Sequence, residues 1–399
     1  MRAVDELLEA VADRTGLADF GDDSFREGLG VLLLSLRDEA RLNTSGEEFI
    51  YPRIGRYLEQ RLQVEDWYRR HPEIAGVPVE APLFVLGLPA SGSTALSLLL
   101  AKDPAVRYLR RWESSQPCPP PATVRGADPR IPPVKGGTVR TRFHGPVDPH
   151  GPVECQELMA LDFKSHMFLS FARIPRYATW LAERADLTST YEYQRRVMRL
   201  LQWGEPARPW RLTAPSHSLF LRDLDKAFPD ARFVMTHRDP ADVILSAVDP
   251  GIITAFTDHI DRRYIGRLNV QHCSLGMDRA LRFRADGADK RFYDIDFRAL
   301  QADPVGQVKG LYAWLGEPVS EEFENRMRVW SARASDLEPA MLRVRGRLPA
   351  WCAAASAPPG RRSCSGASRR PRPVPRDRTA ARVSPAARRG ARAAPSVPA

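Results

Sequence analysis

Apolar residues near the start of the chain recur three and four positions apart over Leu7–Val11, Phe25–Leu42 and Phe49–Trp67, a spacing that predicts amphipathic helices. Residues 1–78 therefore read as a helical N-terminal region. The pattern then changes. Leu83 to Leu86 is a short unbroken apolar run, which suits a parallel strand covered on both faces. Comparable strands are predicted from Trp210, from Ala231 and over Arg291–Phe297, and a helix signal follows each. After the first, Leu219, Phe220, Leu221, Leu224 and Phe228 form one apolar side. After the second, Asp239 is a cap and Pro240 the first helical residue; after the third, Asp303-Pro304 opens a helix that runs through Leu315 and stops at Gly316. Strands alternating with helices predict an α/β domain over residues 79–332, with a P-loop-like parallel sheet flanked by helices. Residues 114–152, rich in Pro, Gly and Ser around Pro119-Pro120-Pro121, break this rhythm and predict a long irregular excursion of the kind that forms lids or binding walls.

The junction after the first strand carries candidate chemistry. Gly87 and Gly92 bracket a tight loop, and Ser93, Thr94 and the amides after them fall at a helix N-terminus, where unpaired donors and the helix dipole favour an anion. In the spacing Gly87-x4-Gly92-Ser93-Thr94, Ser93 stands where a nucleoside-triphosphate P-loop carries its Lys, which disfavours an NTPase. The later strand ends at a comparable strand-to-helix junction. There Arg238 offers a planar fork to phosphate oxygens, and Ser246, on the second turn of the next helix, can face the same side. The plainer alternatives are an ordinary strand-to-helix turn, and an Arg238 that only pairs with Asp239 or Asp242.

These two segments together, Pro82–Lys102 and Ala231–Val248, make the chain resemble the sulfotransferase family that uses 3′-phosphoadenosine 5′-phosphosulfate, in its bacterial branch, over roughly residues 45–330. The resemblance implies that Gly87, Ser91, Gly92, Ser93 and Thr94 cradle the phosphosulfate and that Arg238 and Ser246 hold the 3′-phosphate. It implies Glu113, after Trp112, as the nearest match to a general base, with His217 pointing into the site; Glu154 and Glu157 form a second acidic cluster. The implied acceptor is the hydroxyl of a hydrophobic alcohol or phenol, its pocket lined in part by the aromatic stripe Phe163, Phe168, Phe171, Tyr177 and Trp180. The chain departs from the family at two cations: Ala90 replaces a loop Arg, and Thr213 replaces a Lys before Pro215. Lys102, Lys164 and Arg211 are candidates to move in. The alternative is a protein of this fold with lost or changed chemistry, in an accessory role in secondary metabolism.

Net charge, +10, belongs to the end of the chain. Residues 350–399 hold eleven Arg, no Lys and one acid, Asp377, so the body before them is balanced and no nucleic-acid partner is expected of it. The stretch 333–399 predicts an irregular to disordered tail with too few apolar residues for a packed layer. It reads either as a real disordered arm or as out-of-frame translation; the abrupt change and the missing Lys favour the latter. Cys118, Cys155, Cys273, Cys352 and Cys364 show neither a paired framework nor metal spacing, so no metal is expected. Val31–Leu36 is too short to span a bilayer and no leader pattern opens the chain, which predicts a cytoplasmic protein. Nothing in the sequence specifies an oligomeric state.

Overall fold

The computed structural model describes residues 2–131, 139–140, 146–247, 256–259 and 261–334; the end of the chain after 334, with both readings of the tail, Cys352 and Cys364, lies outside the described residues. The N-terminal region is built from α1 (Arg2–Thr15), α2 (Phe25–Glu39) and α3 (Thr44–Arg70). The third helix begins well before Phe49, because the Asn43 side chain caps it by accepting the Gly46 N–H at 2.9 Å. Arg69 and Arg70 lie in its last turn, where cations suit the dipole.

The rest of the chain runs β1 (Leu83–Gly87), α4 (Ser93–Leu100), β2 (Arg107–Tyr108), α5 (Arg111–Ser115), a hairpin of β3 (Val139–Arg140) and β4 (Pro146–Val147), α6 (Gln156–Ala160), α7 (Pro175–Glu183), α8 (Thr188–Gln202), β5 (Trp210–Thr213), α9 (Leu221–Ala227), β6 (Arg232–His237), α10 (Pro240–Ala247), α11 (Arg262–Phe283), β7 (Phe292–Asp296), α12 (Phe297–Ala302), α13 (Pro304–Leu315) and α14 (Glu321–Ala334). Five strands form one sheet in the order β2-β5-β1-β6-β7, with every adjacent pair parallel. Leu83 and Val85 face a core shared with α4, α13 and α14, while Phe84 and Leu86 face a larger core shared with the N-terminal helices and α6 to α9. That double burial explains the unbroken apolar run of β1.

Strand order also fixes where a ligand can sit. The chain leaves β1 for β2 on one side and later places β6 on its other side, so β1 is a switch point, and the loops after β1, β5 and β6 gather at the carboxyl end of the sheet. Two predicted elements differ in detail. The helix expected through Leu219–Phe228 is a 3-10 turn over Pro215–Leu219 followed by the short α9. The last strand ends one residue early, because Asp296 accepts the N–H groups of Arg298 and Ala299 at 2.9 and 3.0 Å and so starts α12.

The aromatic stripe of residues 163–180 is a seam in the core. Phe163 packs at 6.3 Å from Phe25, Phe168 at 6.0 Å from Tyr57, and Tyr177 beside Trp180, so the stripe joins the N-terminal helices to the body. Arg61 pins the same seam: it is buried, donates to the carbonyls of Phe20, Asp22 and Leu161, and pairs with Asp162. Among the described residues no helix is long and apolar enough to cross a membrane.

Candidate functional site

The loop between β1 and α4 is shaped by two glycines. Gly87 has φ +142°, and a Cβ there would collide with Thr236 and Ser91; Gly92 has φ +98°, with Phe297 only 3.0 Å from where its Cβ would be. Gly92 precedes α4, whose first internal bond runs from Leu96 N to Gly92 O at 2.9 Å, so the amides of Ser93, Thr94 and Ala95 have no acceptor within the helix. Those donors face the switch point, as an anion site requires. Thr94 is exposed and Ser93 nearly buried. Ser91 corrects an expectation. Its amide bonds to Leu88 O at 3.1 Å, and its fully buried hydroxyl lies 2.7 Å from Thr236 Oγ1. Because the Thr236 hydroxyl donates to Leu86 O at 3.2 Å, the Ser91 hydrogen goes to Thr236. Ser91 latches the loop onto β6 and has no donor left for a phosphate.

Arg238, at the carboxyl end of β6, reaches back to that loop: one guanidinium nitrogen donates to Ala90 O at 2.8 Å, and the fork lies 4.5 Å from the Phe297 ring centroid. Asp242 Oδ2 is 3.8 Å from its Nε, an ion pair too long to be a hydrogen bond. The two predicted anion-binding segments thus meet. The Asp239 cap is present, with Oδ1 accepting Ala241 N–H at 2.8 Å and Pro240 opening α10. Ser246 falls in that helix, but its side chain lies outside the described residues.

None of the cations proposed to replace Ala90 and Thr213 approaches the loop. Lys102 follows α4 at the end away from it, about 12 Å along an eight-residue helix. Lys164 is buried against Asp162 at 3.1 Å and Ser189 at 2.8 Å. Arg211 pairs with Glu317 and lies 5.7 Å from the Tyr312 ring centroid. Thr213 itself donates to Val85 O at 3.3 Å, between strands.

Both residues expected to be catalytic, Glu113 and His217, are buried and engaged with other side chains. Glu113 is fully buried, and its carboxylate accepts from the guanidinium groups of Arg107 and Arg110 and from the Arg110 amide at 3.1 Å. Burial opposes its charge, but the two arginines prevail and hold the carboxyl below its ordinary range, so it is a poor base. His217 is 0% exposed in the larger core, 2.9 Å from the Tyr191 hydroxyl through Nδ1 and edge-on to Phe84. Its Nε2 has no partner among the described residues, and burial pushes its pKa down to about 3. It is a neutral core histidine.

The sheet's carboxyl edge instead presents Glu154. Val153 N–H bonds to Leu109 O at 3.0 Å and Cys155 N–H to Thr213 O at 2.9 Å, so this segment lies across the ends of β2 and β5. Val153 and Cys155 turn toward the larger core, and Glu154 alternates away from it. Part of Glu154 stays open to solvent although protein crowds it on nearly every side, and that burial pushes its pKa up to about 7. Glu157 parts company with it: α6 starts only at Gln156, and Glu157 pairs with Arg53 and accepts the Tyr57 hydroxyl at 2.7 Å. Next to Glu154, Gln156 donates to Ser216 Oγ at 2.7 Å and accepts Ser165 Oγ at 2.8 Å, and the following residue, His166, sits 2.7 Å from His272 Nδ1 on α11. Sequence reasoning passed over His166 and His272, which lie 106 positions apart with no motif around either.

Residues 82–321 match the model of the sulfotransferase family. The chain is 34% identical to the sulfotransferase STF9 from Mycobacterium avium, whose crystal structure superposes with a TM-score of 0.74 over 82% of this chain and 87% of that one. It is 30% identical to the sulfotransferase STF1 from Mycobacterium tuberculosis H37Rv, with a TM-score of 0.72 over 82% of this chain and 92% of the other. No curated protein sequence matches the chain.

Proposed function

The chain belongs to the sulfotransferase family, and from that premise we propose that it moves a sulfuryl group from 3′-phosphoadenosine 5′-phosphosulfate to the hydroxyl of a hydrophobic small molecule. The observation that carries this reading is the meeting of the α4 amides with the Arg238 fork at the switch point, two anion-binding elements joined through Ala90 O at 2.8 Å. The amides after Gly92 take the phosphosulfate end, and Arg238 takes the 3′-phosphate.

Glu154 is the base in this scheme. Its carboxylate, half ionised near neutrality, accepts the acceptor's hydroxyl proton as that oxygen attacks sulfur in line. The new sulfur–oxygen bond forms while the one to the 5′-phosphate breaks, and adenosine 3′,5′-bisphosphate leaves with the electron pair. The fixed amides meet the charge that develops on the bridging oxygen.

Calorimetry with adenosine 3′,5′-bisphosphate tests the donor site. Arg238→Ala should weaken binding by about 1.5–3 kcal/mol, the scale of hydrogen bonds to charged groups. Absence of binding to the wild type at millimolar nucleotide would sink the proposal. Ala90 and Thr213 support a second reading, a protein of this fold whose chemistry has changed. Bisphosphate binding without turnover of any phenol would favour it.

A further inference from the structure

We infer that Arg111 supplies, from the acceptor's side of the site, the positive charge that the loop lacks at Ala90, with its guanidinium binding the sulfonate oxygens of the group being transferred. This rests on the sulfuryl-transfer reading above and adds a residue and a ligand chemistry to it.

Three arginines crowd the end of β2, and two of them are committed: Arg107 and Arg110 both hold Glu113. Arg111, the first residue of the helix that carries Glu113, makes no side-chain hydrogen bond or ion-pair contact among the described residues, and its Nε is buried without a partner. A buried, unpaired donor of this kind is costly unless something completes it. The nearby carboxylates do not. Glu157 is taken by Arg53 and Tyr57, and Asp148 turns onto the His150 amide at 2.8 Å. Glu154 feels the charge of Arg111 without touching it.

Backbone bonds place the start of α5 beside the Glu154 segment, and the Arg111 charge is felt at Glu154. Arg111 N donates to Gly151 O at 3.1 Å, Trp112 N to Pro149 O at 3.2 Å and Val153 N to Leu109 O at 3.0 Å, so α5 and the Glu154 segment are stitched together at the carboxyl edge of the sheet. In the strand order, β2 is separated from β1 only by β5, about 10 Å at ordinary strand spacing. An extended arginine and a phosphosulfate span that gap from its two sides. The planar fork matches a sulfonate as it does a phosphate or carboxylate. Burial lowers the pKa of Arg111, yet an arginine stays charged throughout the working range.

The test separates Arg111 from the donor site. The full chain, loaded with adenosine 3′,5′-bisphosphate, is titrated by calorimetry with 4-nitrophenyl sulfate and with 4-nitrophenol. Arg111→Met should weaken the aryl sulfate at least about tenfold, while 4-nitrophenol and the bisphosphate stay within about twofold of wild type and Arg111→Lys falls between. Placing a cation back in the loop with Ala90→Arg should shrink the Arg111→Met loss, since the two charges then share one anion. Unchanged aryl sulfate affinity in Arg111→Met, or an equal loss for the phenol, overturns the assignment and leaves Arg111 as scaffolding. A wild type that binds the bisphosphate but no aryl sulfate overturns it too. Failure to bind the bisphosphate at all overturns the donor-site reading itself.

Discussion

Two carboxylates at one sheet edge show how environment sets the role of a residue. Glu113 has two guanidinium partners and is held ionised; Glu154 has one charged neighbour at a distance, and burial keeps it near half protonation. The consequence for stability has a definite sign. In the unfolded chain Glu154 loses its proton near pH 4.5, in the native protein near 7, so its burial is neutral at acid pH and costs stability as pH rises from about 4.5 to about 7. Glu154→Gln should therefore be more stable than wild type at pH 8, by up to about 3 kcal/mol, with no such gain at pH 4. The same variant should lose about 10²–10⁴-fold in kcat if Glu154 is the base, and the wild-type rate should rise with pH through about 7. Thermal melts and pH–rate profiles check the two halves separately. A flat stability difference between pH 4 and pH 8 would remove the buried-acid account.

At the scale of elements, the phosphate loop depends on neighbours distant in sequence. Its shape is fixed by the Ser91 latch to Thr236 on β6 and by the packing of Gly92 against Phe297 of α12. Gly92→Ala requires a side chain at φ +98° beside that ring, which should cost about 1–2 kcal/mol of stability. It should also weaken adenosine 3′,5′-bisphosphate, because the amides that follow move with it. Denaturant unfolding and calorimetry measure both, and preservation of both would mean that the loop tolerates another conformation. The amphipathic stripes, β1, β5, β6, α10 and α13 were legible in the sequence because each carries a local signal: an apolar period, a cap or a stop. The placing of Glu154 was not, because its neighbours Val153 and Cys155 meet Leu109 and Thr213 only through strand order.

At the scale of the whole molecule, three histidines among the described residues are buried in the neutral form. Burial pushes His166 and His217 down to about 3 and His272 to about 4, against an ordinary value of 6.5. Below pH 6.5 the unfolded chain takes up protons that the native protein refuses, so their contribution to stability is complete above that pH and is lost as pH falls toward 4. Each contributes up to about 1.4 kcal/mol per pH unit in that window. Chemical denaturation between pH 7 and pH 4 should show a steep fall, shallower in His166→Asn with His272→Asn. Equal slopes in the variant and wild type would contradict the burial of that pair. These losses reach the N-terminal helices as well, since His217 sits in the core that they share with the sheet.

By itself the sequence determined the alternation of strands and helices, the two strand-to-helix junctions and the absence of cations at Ala90 and Thr213, because backbone propensity, glycine conformation and residue charge are local properties. Tertiary structure alone decided which groups are free to act. Ser91, Glu113 and His217 carry the right chemistry in the right stretches, but each spends it inward on Thr236, on two arginines or in the core. Glu154 and Arg111, with no motif to mark them, lie at the carboxyl edge without a side-chain hydrogen bond among the described residues, where strand order brings β2 and β5 beside β1. Availability of a polar group depends on every neighbour that could satisfy it, and those neighbours are assigned only when the chain has folded.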